Sequence, residues 1–115
     1  MKRLYLGLAL GMIALGLVHM AATTRLFDAL TTSALWFFSG GLALALNGTL
    51  NLLNRAYGRV APGVRVACII ANIVMTAFTV LSGVVGHASV AELLVVVGLM
   101  AGAAALSLFP AARLA

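Results

Sequence analysis

Acid is what this chain has least of. Asp28 and Glu92 are its only acidic residues in 115, and all charged residues together make up 8%. A soluble domain of this size needs far more charge to cover its surface, so a soluble globular reading is set aside. Cysteine is nearly missing too. The single Cys68 excludes an intramolecular disulfide and any cysteine-based metal cluster, and it lies in an apolar segment where it reads as a packing residue. Prolines number two, Pro62 and Pro110, and both stand at the edges of apolar runs. No nucleophile–base pair, phosphate-binding glycine loop or zinc-protease motif can be traced, so the reading leans away from an enzyme.

What fills the chain is apolar side chain, 64% of the residues. Four runs, about 4–22, 32–54, 64–86 and 90–109, come close to or exceed the ~20 residues that a membrane-spanning helix needs. A single domain over residues 1–115 follows. The predicted fold is all-α, an integral membrane four-helix bundle with up-down antiparallel topology. A basic start followed by the first run also suggests a signal peptide. A cut after Ala22 or Ala21 would, however, leave Met20 or His19 where a small residue is wanted, so an uncleaved span is expected.

The net charge of +5 invites a nucleic-acid partner, but the basic residues gather on no amphipathic face. They flank the apolar runs, where they act as topology signals. With four spans, Lys2, Arg3, Arg55, Arg59, Arg65 and Arg113 share one side and Arg25 stands alone on the other. That asymmetry places both termini in the cytoplasm (N-in/C-in). Arginine in excess of lysine, with abundant Ala, Gly, Leu and Val, fits a GC-rich bacterial genome and hence a bacterial inner (plasma) membrane. Tyr5 and Tyr57 would sit at the inner interface and Trp36 near the outer one. Between the last two spans, Ser89 and Glu92 have the spacing of a capping box.

The second run carries Asn47, Asn51 and Asn54 inside otherwise apolar sequence. At about 100° per residue they share a stripe with Trp36, Gly40 and Ala43. The third run has a stripe of its own: Cys68, Asn72, Thr76, Thr79, Gly83 and Gly86. Folding the two runs about the basic turn places Asn47 opposite Asn72, Asn51 opposite Cys68, Asn54 opposite Arg65 and Gly40 opposite Thr79. Asn47, Asn51, Asn54, Asn72, Thr76 and Thr79 are therefore the candidate polar stripe, either packed between helices or lining a small cavity. Amides do not titrate, so this stripe alone carries no protons.

Titratable groups away from the basic ends are His19, Asp28, His87 and Glu92, with Arg25. All map to the outer side, and each helical pair repeats a histidine followed by an acid. They form a candidate metal or proton-exchanging site, or alternatively ordinary wet helix ends with acids complementing the helix dipole. No cofactor is identified. Small-residue pairs at Gly7/Gly11 and Gly98/Gly102 suit helix packing within the bundle or between copies. The first span holds no acid, so the buried glutamate of small multidrug-resistance transporters has no counterpart.

Three functional readings stay open. One is a non-enzymatic accessory or assembly subunit, or self-associating bundle, partnered by the lipid bilayer and by its own copies or a larger membrane complex. Another is a small channel or transporter lined by the Asn/Thr stripe. The third is a membrane enzyme or redox-cofactor protein using the outer histidines and carboxylates.

Overall fold

The computed structural model describes residues 1–114. It contains α1 (Lys2–Leu26), α2 (Thr32–Tyr57), α3 (Pro62–Val85), α4 (Val90–Leu108) and a final 3₁₀ turn, Pro110–Ala112. All four helices are long and apolar enough to cross a membrane. Their surface is inverted relative to a soluble protein. Leu, Val, Ile and Phe side chains such as Ile70, Ile73 and Phe78 face outward, while Asn47, Asn51, Asn54, Asn72 and Ser107 are buried.

Local chemistry sets the ends. α1 outlasts its apolar run because Thr23 and Thr24 donate their hydroxyls back to the His19 and Ala21 carbonyls. The Thr31 hydroxyl caps α2 by accepting from the Ala34 amide at 3.2 Å. α2 closes at Gly58, whose amide donates to the Asn54 carbonyl, and Pro62 opens α3 where no helical N–H is required. α3 ends in a Schellman motif. Ala88 donates to the Gly83 carbonyl at 2.9 Å, His87 donates to Val84 at 3.4 Å, and His87 takes the left-handed conformation with φ 53°. Ser89 and Glu92 then form the complete capping box that their spacing suggests.

The most extensive contact is α1 against α2; α3 against α4 comes next. α2 and α3 also meet, with Asn47 bonded to Asn72 and Asn51 to Cys68 as expected, but α1 against α2 is the principal pairing. The reason lies in the small residues of α1 and α2. A Cβ on Gly16 would stand 2.5 Å from the Gly41 carbonyl oxygen, and one on Gly48 would stand 2.8 Å from that of Ala9. The backbones touch, and side-chain packing follows along their length. The GxxxG pairs play a smaller part. Gly11 and Gly102 face Leu99 and Leu8 across α1 and α4, but among the described residues nothing beyond the local helix backbone lies within 4 Å of a Cβ on Gly7 or Gly98. Tyr5, Met12, Leu44, Met100, Ala103 and Ala112 form the apolar core.

Candidate functional site: a buried amide cluster beneath a basic face

The polar interior is built around two asparagines. Asn51 Nδ2 donates to Asn72 Oδ1 at 2.8 Å, and Asn72 Nδ2 donates back to Asn51 Oδ1 at 2.9 Å. This is a reciprocal amide pair between α2 and α3, and both residues are 0% exposed. Asn47 Nδ2 donates to the same Asn72 oxygen at 3.1 Å. The second Asn51 bond goes from Nδ2 to the Asn47 carbonyl of its own helix at 2.8 Å. The Cys68 thiol donates to Asn51 Oδ1 at 3.4 Å.

Tyr5 joins from α1. Its hydroxyl donates to Asn51 Oδ1 at 2.8 Å and accepts from Asn54 Nδ2 at 2.9 Å. Tyr5 is fully buried, which corrects its expected place as an interfacial anchor. Asn54 correspondingly bonds Tyr5, not Arg65; the Arg65 guanidinium reaches the Gly58 carbonyl at 3.5 Å instead. α1 packs so closely on α2 that its tyrosine, not the basic turn, meets the last asparagine of the stripe.

The two threonines lie outside this cluster. Thr76 donates to the Asn72 carbonyl of its own helix at 2.7 Å, and Thr79 donates to Met100 Sδ of α4 at 3.2 Å. Thr79 therefore addresses α4 and not Gly40, where a Cβ would stand 3.7 Å from His19 Nε2.

The titratable candidates His19, Asp28, His87 and Glu92 scatter. The His19 ring stacks on Phe37 with centroids 3.8 Å apart. Asp28 is exposed and borders a shallow open hollow of about 270 Å³ with Thr23, Thr24 and Phe27. His87 is the left-handed cap of α3, and Glu92 is held in the capping box of α4. Among the described residues, no group of three or more His, Cys, Asp or Glu side chains is arranged to hold a metal ion.

At the other end, next to the amide cluster, the basic residues converge. Arg113 is only 3% exposed. One terminal nitrogen donates to the Ser107 carbonyl at 2.6 Å, and its Nε has no partner among the described residues. Burial, with Arg65 and Arg59 nearby, pushes its pKa below the ordinary arginine value, although a guanidinium stays charged. Gly58 joins the two regions, because a Cβ there would meet Asn54 Oδ1 and stand 3.1 Å from Arg113 Cδ. Three further contacts tie the helix ends together: Arg55 to the Lys2 carbonyl at 3.0 Å, Arg59 to that of Pro110 at 3.0 Å, and the Leu114 amide to that of Arg55 at 2.7 Å.

Sequence reasoning missed Tyr5 and Arg113 as buried members. One signal was present: Tyr5, Ala9, Met12 and Gly16 share one face of α1 at helical spacing, and all four are buried. No protein-family model, no curated protein and no solved structure matches the chain.

Proposed function

We propose that this chain is a non-enzymatic, four-span integral membrane protein, acting as an accessory or assembly subunit or as a self-associating bundle. The observation that supports it best is the reciprocal Asn51–Asn72 pair with its Tyr5 bridge, which directs the amides at one another across three helices. An interhelical hydrogen bond in lipid contributes about 0.6 kcal/mol on average. Several around one pair select a single helix register, which is the use a scaffold makes of them. The topology we propose is up-down, with both termini in the cytoplasm of a bacterial inner membrane. Close approaches of Ala9 to Gly48 and of Gly16 to Gly41, which run in opposite order along α1 and α2, support the up-down arrangement. The six basic residues at the terminal end support the orientation.

Native mass spectrometry of gently extracted protein tests this reading, together with solute flux through vesicles containing Asn47→Leu or Asn72→Leu protein. Expected are homo-oligomers or a co-purifying membrane partner, and variants that weaken the fold. A lone monomer without a partner overturns the assembly role. Variants that fold and assemble normally yet lose a solute flux present in wild type replace the scaffold with a channel.

A further inference from the structure

Among the described residues, no acidic side chain accompanies the charge at the basic end of the bundle. Four arginines, drawn from α2, the α2–α3 turn, α3 and the C-terminal segment, each bond a backbone carbonyl: Arg55 that of Lys2, Arg59 that of Pro110, Arg65 that of Gly58 and Arg113 that of Ser107. A guanidinium has five N–H donors, so one such bond leaves most of each fork unused. Both acidic side chains, Asp28 and Glu92, stand in or beside the α1–α2 and α3–α4 links.

Helix dipoles do not make up the deficit. The C-terminal ends of α2 and α4 lie here and bring about −0.5 charge each, but the N-terminal ends of α1 and α3 lie here too and bring about +0.5 each. These contributions cancel. The arginines remain a net positive cluster, held in place by bonds that link separate elements, and Arg113 is drawn into the protein among them with its Nε unpaired among the described residues.

We infer that this face binds the phosphate of an anionic phospholipid headgroup, with Arg59 and Arg65 as its principal donors and the buried Arg113 adding positive charge behind them. The shared chemistry is a phosphate anion recognised by guanidinium forks. The lipid source is favoured by position: the cluster sits at the ends of four membrane-length helices, at the depth of the headgroup layer if they span a bilayer. A bound lipid would bridge the α2–α3 turn, through Arg59, and α3, through Arg65. The inference rests on the membrane reading above.

The test is native mass spectrometry of the whole chain in detergent, titrated with phosphatidylglycerol, with zwitterionic phosphatidylcholine, and with inorganic phosphate as competitor. Wild type is expected to retain phosphatidylglycerol at least about tenfold more strongly than phosphatidylcholine, and the double variant Arg59→Gln/Arg65→Gln to lose on the order of 10- to 30-fold in that preference. Glutamine keeps one N–H for the Pro110 and Gly58 carbonyls, and the wild-type selectivity is decisive even without the variant. Arg25→Gln, at the opposite end, is expected to leave the preference unchanged. Equal retention of the two lipids overturns the inference, as does an equal loss in Arg25→Gln. Displacement of the lipid by millimolar inorganic phosphate reassigns the site to the free anion and overturns the lipid. Alkaline extraction of membranes separates the two proposals. A chain that washes out fails the membrane reading, whereas one that stays embedded without lipid preference fails only this inference.

Discussion

At the residue scale, the Asn51–Asn72 pair decides how the interior behaves. Asn51 Oδ1 accepts from Tyr5, Cys68 and Asn72, so removing it strands several donors at once. A buried polar group left without a partner costs about 1–3 kcal/mol. Asn51→Leu is therefore expected to destabilise the bundle by about 3 kcal/mol, read by unfolding in mixed micelles of rising denaturing-detergent fraction. The double variant Asn51→Leu/Asn72→Leu should cost less than the sum of its singles, because each leucine removes the group that the other leaves unpaired. Strict additivity would show that the two amides do not act as a pair. Tyr5→Phe makes a narrower cut. It keeps the ring and removes the hydroxyl on which Asn54 Nδ2 depends, so a loss of about 1–2 kcal/mol is expected by the same measurement.

At the scale of the element, the glycines divide into those that hold helices together and those that do not. Gly41 and Gly48 on α2 lie so close to α1 that a Cβ would stand 2.7 Å from the Gly16 oxygen and 2.8 Å from the Ala9 oxygen. Both obstacles are backbone, which cannot rotate away. Gly41→Ala and Gly48→Ala are expected to lose 2 kcal/mol or more, on the order of an overpacked core. Gly7→Ala and Gly98→Ala should be neutral, or stabilising by up to about 1 kcal/mol from helix propensity. The opposite ranking would mean that the GxxxG faces, and not the α1–α2 seam, carry the packing. The α3 cap offers an independent check. His87 stands where glycine is the usual residue, and the left-handed region costs an ordinary residue about 1–2 kcal/mol. His87→Gly is expected to raise the unfolding midpoint, whereas a metal-ligand role would show as a loss of bound metal.

These elements also show what a sequence reader can and cannot see. The four apolar runs and the Ser89–Glu92 cap are written in local order, through length, hydropathy and spacing. The period of Asn47, Asn51 and Asn54 is local as well, and it marks the polar face of α2 without the structure. Tyr5 was not legible as part of the cluster, because a tyrosine one turn from a basic terminus is also what an interfacial anchor looks like. Arg113 presents the same ambiguity, since a cation after an apolar run is ordinarily a topology signal. α1 is apolar almost all round, so composition does not say which face turns inward. That choice is made by the fit of Ala9 and Gly16 against α2, a property of two backbones together.

At the scale of the whole molecule, the two ends of the bundle differ in charge and in construction. The basic end is cross-stitched: Leu114 to Arg55, Arg55 to Lys2 and Arg59 to Pro110 bind the chain's start, middle and finish into one plate. In the proposed up-down arrangement the other end consists of two short links, one holding Asp28 and the other running from His87 into the Ser89–Glu92 cap. In the orientation proposed above, Lys and Arg retention on the cytoplasmic side would fix how the bundle is inserted. Cysteine scanning measures this directly. Cys68 is buried, so the wild-type background should label poorly with a membrane-impermeant maleimide. In cells whose outer envelope alone is permeable, Ala29→Cys and Ala88→Cys are expected to label without disruption of the inner membrane. Ala61→Cys, in the basic turn, should label only after that membrane is opened. Labelling of Ala61→Cys in intact cells, with Ala29→Cys protected, would invert the orientation and set the basic plate on the outer surface. Labelling of Ala29→Cys and Ala88→Cys from opposite sides would break the up-down arrangement itself, because both links would no longer share a face.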